Sequence, residues 1–408
     1  MNKSFNVKFH FRILLKWLSI CVILGILCGA LGAFFSQTII FLTTLRQKHF
    51  WLIALLPLAG VASVLLYRLC RVSGMGTHCV FDSLRSKKVV PVSLVPAVFI
   101  GSALTHMCGG SAGREGAALQ LGGGTSTLVL KIFRLNEDEK NILSICGMGA
   151  VFSAVFGTPL GAAVFAVEVV RKRRVNFKAI LPTLLSSIIA YIVALGLKAK
   201  PERFGVSEVP TLKGMLALKV FVIIVLGAFI SILFCEGLHK THALFKRFFK
   251  NEYIRIAVGG ILIVALTVLV GTYDYNGGGI DVIEGIFHGE GKGYEAFALK
   301  ILFTVITVGA GYKGGEIVPT LFIGATFGGS AAVILDMPLG LGAVIGIAAL
   351  FSGVTNCPIA TIVLCYELFS GKAIIYIVFA AIISYLISGN SSLYTEEKFS
   401  FKKFGVEE

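Results

Sequence analysis

Glu115 is the residue best placed to do chemistry. It stands in Gly113-Arg-Glu-Gly, a glycine-bounded run at an expected helix start, in a chain with only 14% charged residues. The first backbone N–H groups of a helix have no partner within it, and the helix dipole makes that end positive. Such an end binds an anion without a fixed cation. A carboxylate beside it competes for the same amides, and once protonated it loses that attraction and can swing away. Glu115 can therefore serve as a gate and as a proton carrier, or more simply as a capping acid at a wet helix start. A second glycine cluster, Gly309-Ala-Gly-Tyr-Lys-Gly-Gly-Glu, ends on another acid, Glu316.

The elements that hold these acids must cross a membrane. Of the 408 residues 56% are hydrophobic, and the mean hydropathy is +0.87. Stretches such as Trp17 to Phe35, Phe221 to Phe234, Ile254 to Val270 and Ile374 to Ile387 are nearly free of charge. Alone or with their flanks they suit a span of roughly 20 residues, and the chain has room for roughly ten or more. The class expected is all-α and polytopic, with the first helix retained rather than cleaved as a signal peptide.

The net charge of +15 is topological rather than a nucleic-acid footprint. The basic residues gather at Lys3, Lys8, Arg12 and Lys16, at Arg171 to Arg174, and at Lys246, Arg247 and Lys250. That pattern puts these three regions in the cytoplasm. The nine cysteines are scattered without a C-x-x-C pair, and the seven histidines show no ligand spacing, so no metal and no cofactor is expected. Nor is there a nucleophile–base pair or an aspartate dyad for an intramembrane enzyme.

Two parts of the chain copy one another. Ala150-Val-Phe-Ser-Ala-Val-Phe-Gly-Thr-Pro-Leu, running on to Glu168, is echoed by Ala349-Leu-Phe-Ser-Gly-Val-Thr-Asn-Cys-Pro-Ile, running on to Glu367. Gly113 to Gly122 and Gly315 to Gly324 form a further pair at nearly the same offset. Paired halves place a substrate near the midplane between them, and the charge pattern makes inverted-topology repeats with broken helices the natural choice. The halves are expected at about 1–200 and 201–408 of one transmembrane domain. Glu168 and Glu367, at matching repeat ends, are expected to cap or pack helices.

Gly113-Arg-Glu-Gly, Gly314-Gly-Glu-Ile-Val-Pro and the Gly157-Thr-Pro-Leu element ending at Glu168 resemble the CLC family of chloride channels and proton-coupled anion exchangers. The likeness runs from about Gly74 to Tyr394. It implies a homodimer with one anion path per subunit, with Glu115 as the gating glutamate. It also implies that Gly113, Arg114 and Gly116 flank the anion and that the Tyr394 hydroxyl closes the inner end of the path. Tyr394 could otherwise be an interfacial anchor. The chain ends soon after Tyr394, so no cytoplasmic regulatory domain is expected.

The departures are informative. Where the family usually has Gly-Ser-Gly-Ile-Pro, this chain has Gly74-Met75-Gly76-Thr77-His78, and a thioether cannot donate to chloride. Val169 stands where exchangers of chloride and protons commonly carry an inner glutamate, and Glu316 stands where they are usually apolar. These three features are similar to the fluoride-exporting branch. In that branch the second-half glutamate takes part in proton coupling, and an aromatic box, here Phe81, lies beside the first motif. His78 falls where another aromatic is usual. Val318 occupies the branch's customary threonine position, with Thr320 just beyond the proline. The resemblance implies proton-coupled fluoride export across a bacterial inner membrane, with chloride a weaker substrate. The alternatives are a chloride/proton antiporter and a channel for chloride or fluoride.

Overall fold

The computed structural model describes residues 7–86, 89–170 and 177–394. Lys3 and Arg171 to Arg174 lie outside the described residues, with the side chain of Lys8. Among the described residues the regular elements are helices. In order come α1 (Val7–Lys48), a 3-10 turn (Phe50–Leu55), α2 (Leu56–Leu69), α3 (Thr77–Ser86), α4 (Leu94–Met107) and α5 (Glu115–Leu130). Then follow α6 (Glu137–Phe156), α7 (Pro159–Val169), α8 (Phe177–Gly196), α9 (Gly214–Phe248), α10 (Glu252–Val270) and α11 (Ile280–Phe287). The last are α12 (Ala296–Ala310), α13 (Ile317–Ile334), α14 (Leu339–Thr355), α15 (Pro358–Leu368) and α16 (Ile374–Ile387). The chain is an all-α, multi-pass membrane protein.

Among the described residues six helices are long and apolar enough to cross a bilayer, and six apolar helices are shorter, at 10–17 residues. The sequence has room for roughly ten or more segments that cross or largely cross a bilayer, and the structure divides its apolar helices into full-length and short ones. The stretch Ile374–Ile387 is itself a whole helix of 14 residues. Short apolar helices cannot span alone; they begin or end inside the protein, where a second broken helix can satisfy the freed backbone.

Local chemistry sets these breaks. Pro159 and Pro358 each occupy the first position of a short helix, α7 and α15, where a missing N–H costs nothing. Just upstream, α6 ends on Gly157 at φ +77° and α14 ends on Asn356 at φ +57°. These two residues are partners in the sequence repeat. Left-handed backbone favours glycine or asparagine at both places. α6 opens on a capping box, in which Asn136 accepts from the Glu139 N–H and Glu139 accepts from the Asn136 N–H.

Small residues bring the helices of each half together. A Cβ on Gly324 of α13 would sit 2.7 Å from the Gly346 carbonyl oxygen of α14, and one on Gly122 of α5 would collide with Gly147 of α6. The two halves run in opposite senses. Glu168, at the end of α7, accepts from the Ala360 N–H at 2.6 Å and the Ile359 N–H at 3.4 Å, at the start of α15. Glu367, at the end of α15, accepts from Gly161 at 2.7 Å and Leu160 at 3.1 Å, at the start of α7. Each acid caps the other half's helix, which requires α7 and α15 to be antiparallel. The capping role expected for both glutamates is what the geometry gives.

α1 and α8 run in the same direction, since Cys21 Sγ donates to Pro182 O and Gln37 Nε2 donates to Leu197 O. The loop after α8 leads into α9, whose 35 residues give about 50 Å of helix. α9 therefore carries Lys246 and Arg247 back to the side of Arg12 and Lys16. Among the described residues, two of the three basic regions thus lie on one side.

Candidate functional site

The site forms where two helix starts meet. Gly113 and Gly315 exchange backbone hydrogen bonds, N–H to O at 2.6 Å and 2.7 Å, as an isolated antiparallel bridge. Two residues beyond it on each side, α5 begins at Glu115 after Arg114, and α13 begins at Ile317 after Glu316. Both positive helix ends therefore face one region in the middle of the protein. Glycine is needed here for room: a Cβ on Gly116 would lie 2.6 Å from Gly315 Cα.

Glu115 is wholly buried, and neither carboxylate oxygen has a hydrogen-bond partner. It is not a wet capping acid. Its Oε1 lies 3.5 Å from Arg114 Nε, and its Oε2 would be 2.7 Å from a Cβ at Gly113. An unpartnered buried carboxylate is costly when ionised, so such a group belongs to a site that supplies it with a proton or exchanges it for another anion. Glu316 stands close by, with Oε2 also buried and without a partner, 3.4 Å from a Cβ built at Gly116. Val318 packs beside the bridge, its Cβ 2.9 Å from a Cβ built at Gly113. It offers no hydroxyl. The nearby Thr320 hydroxyl donates to the Glu316 carbonyl at 2.8 Å and is committed there.

The first motif reaches this point through α3. Gly74 takes φ +76° in the turn after α2 and is exposed, whereas Met75 is partly buried against the core. Gly76 leads into Thr77, whose hydroxyl is 3.5 Å from the Gly116 carbonyl and accepts from Gln120 Nε2 at 3.1 Å. Phe81 is buried and meets the Tyr394 ring edge to face, with centroids 5.1 Å apart. The Tyr394 hydroxyl is buried without a partner, and Glu316 and Glu115 are among the ionisable groups nearest it. Its segment is pinned to the end of α14, because Leu393 N donates to Val354 O and Asn356 Nδ2 donates to Ser391 O. A tyrosine held this way is no lipid-facing anchor. His78 is exposed, with Cys79 Sγ 3.3 Å away, and so does not complete an aromatic enclosure.

On the opposite side a vestibule of about 690 Å³ leads to Gly113, Arg114 and Val318. Arg46, Lys200 and Arg203 line it, together with Glu202, Asp281 and Glu284. Arg114 donates to Ser36 Oγ at 2.8 Å and is ion-paired with Glu202. Gln120, Thr77 and Glu202 escaped sequence reasoning. Gln120 lies one turn beyond Gly116 and could have been found by that spacing, but no local pattern marks Glu202.

The paired glycine-rich helix starts, the two acids beside them and the inverted halves agree with the family comparison. The model of the family described as "Voltage gated chloride channel" matches residues 58–389. The chain belongs to that family. A CLC relative, the "Chloride/fluoride channel protein" of Pseudomonas syringae pv. tomato, is 33% identical over 399 residues, covering 95% of this chain and 87% of the relative. The crystal structure of a CLC-type fluoride/proton antiporter superposes with a TM-score of 0.91 at 31% identity, covering 95% of this chain and 98% of the other. The H(+)/Cl(-) exchange transporter of Vibrio vulnificus is 28% identical over 389 residues, covering 86% of this chain and 81% of the relative. CLC proteins are anion transporters and channels rather than enzymes, and this chain is one of them by family.

Proposed function

We propose that this CLC protein exports fluoride in exchange for protons across the bacterial inner membrane, as a homodimer with a separate path in each subunit. Each chain would act as one transmembrane unit, with halves at about 1–200 and 201–408. The observation that carries the reading is the meeting of two acids at two helix starts: Glu115, buried with neither oxygen hydrogen-bonded, and Glu316, half-buried with its Oε2 buried and without a partner. One acid gates and a second delivers protons. Chloride exchangers that place their second acid after Glu168 would need it at Val169, where this chain has none.

In this reading an ionised Glu115 occupies the place an anion would take at the start of α5. An arriving anion, or a proton, displaces it. Protonated Glu115 no longer competes for positive helix ends and moves aside, carrying its proton toward the vestibule or toward Glu316. Glu316, between Glu115 and the Tyr394 side, takes the proton on and passes it inward. Fluoride moves out as the proton moves in, so the acid entering a cell as neutral HF is expelled as its ion. Met75 withdraws a hydroxyl suited to chloride, while the edge of Phe81 can meet a small, strongly hydrated anion. The names of the two similar proteins above that mention fluoride support the same substrate.

The test is efflux from proteoliposomes, followed with a fluoride electrode and a pH electrode, and run beside chloride. Fluoride should move far faster than chloride and drive protons the other way. Equal or faster chloride movement would refute the fluoride assignment. Val169 and the channel name of the Pseudomonas syringae relative favour a second reading, uncoupled passage. Fluoride flux with no opposed proton movement would establish it.

A further inference from the structure

The Arg114 guanidinium stands between two carboxylates and treats them unequally. It donates through Nη2 to Glu202 Oε1, and through Nη1 to Ser36 Oγ at 2.8 Å. It approaches Glu115 Oε1 to 3.5 Å through Nε but makes no hydrogen bond with it. Arg114, Glu115 and Glu202 are all buried, at 6%, 0% and 9% exposure. Glu202 cannot follow the arginine if it shifts. Its N–H donates to Phe156 O at 3.1 Å, and its carbonyl accepts from Arg203 Nη1 at 2.6 Å. Arg203 Nη2 also donates to Gly157 O, and Phe204 N donates to Leu368 O. The segment is tied to the end of α6 and the end of α15.

We propose that Glu202 is a positioning residue for the gate: it holds and neutralises Arg114, so that Glu115 can take up a proton and leave the path without stranding a bare buried cation. The inference rests on Glu115 being gate and proton carrier, and not on which anion is carried. The charge count gives the reason. With Glu202 ionised, the trio carries one net negative charge when Glu115 is ionised and none when it is protonated. With Glu202 neutral, the trio is neutral when Glu115 is ionised and positive when it is protonated. A lone buried arginine then holds Glu115 in its charged form.

The other charged or titratable groups around the trio are Arg46 on α1, His106 on α4, Asp281 and Glu284 on α11, and Lys200 and Arg203 in the loop. Asp274 faces it from the segment before α11, Glu316 from the start of α13, and Tyr394 from beyond. None of them changes in a Glu202 variant, so a difference between variants reports Glu202.

The experiment measures anion efflux from proteoliposomes between about pH 5 and pH 8. In Glu202→Gln the pH of half-maximal flux should fall by about one unit, a roughly tenfold loss of proton affinity. Arg114→Gln should raise it, and the double variant, which removes both charges, should return toward the parent value. In the Glu115→Gln background, Glu202→Gln should move nothing, since the effect passes through Glu115. An unshifted midpoint in Glu202→Gln, or an equal shift without Glu115, overturns the proposal. If Glu202→Gln alone does not fold, Arg114→Gln against the double variant decides. The midpoint must then be more alkaline where Glu202 keeps its charge, and coincident midpoints overturn the proposal. Running the series with chloride as well as fluoride separates this result from the choice of anion. If the parent carries only chloride, the fluoride assignment fails while the Glu202 shift is still read. If parent flux does not change with pH, or Glu115→Gln behaves as the parent, Glu115 is not the gate and both fall.

Discussion

Gly116→Ala should uncouple the two helix starts. The added methyl would lie 2.6 Å from Gly315 Cα, about 0.8 Å short of ordinary contact, and what it meets is backbone rather than a flexible side chain. Either α5 or α13 must retreat. The paired bonds between Gly113 and Gly315, now 2.6 and 2.7 Å, then lengthen toward 3.5 Å, where they no longer count as hydrogen bonds. Losing two buried backbone bonds costs about 1–3 kcal/mol, and overpacking a close interface costs about 1–3 kcal/mol more. At about 1.4 kcal/mol per tenfold, the equilibrium between joined and separated helix starts shifts at least about thirtyfold toward separation. The assay is initial fluoride efflux per folded protein in liposomes, with folding scored by size-exclusion profile and thermal midpoint. Gly291→Ala is the control, because a Cβ there meets nothing within 4 Å. Efflux from Gly116→Ala within twofold of the control would refute the argument that the glycine bridge assembles the site.

Other outcomes follow from the same geometry. Flux should slow as pH rises, because a protonated Glu115 leaves the path more readily than an ionised one, and Glu115→Gln should flatten that profile while abolishing proton counterflow; a pH electrode and a fluoride electrode read both. Met75→Ser should raise chloride efflux relative to fluoride, by roughly the factor of ten that one added donor contributes. An unchanged ratio would show that Met75 sets no selectivity. Glu168→Gln and Glu367→Gln should each lower stability by about 1–2 kcal/mol, because each exchanges a charged cap on the other half's helix for a neutral one. The two losses should be similar, since the caps are reciprocal, and thermal unfolding in detergent measures them.

Much of the site was legible before any fold was known. Glycines on both sides of an acid, in a chain that must cross a membrane, indicate a broken helix and a carboxylate at its start. The exact offset between Phe152 and Phe351, and between Glu168 and Glu367, indicates paired halves. Both inferences rest on local chemistry: backbone amides freed at a helix start, and proline or glycine at a break. Which segments are full spans was not legible, because hydropathy does not reveal that a helix stops halfway. Ile374–Ile387 is as apolar as a full span but only 14 residues long.

The rest came from contacts between residues far apart in the chain. Only the folded structure joins Gly113 to Gly315, and Phe81 to Tyr394. Only there do both oxygens of Glu115 lack a partner, which sets aside the capping role that sequence left open. Glu202 is the clearest case. It sits in a loop with no motif, and its importance comes from a buried arginine 88 positions away. Residue type and spacing determined which groups could gate an anion and carry a proton. Which of them lie within a few ångströms of one another, and which are denied water, was decided by packing, because burial and proximity belong to the whole fold.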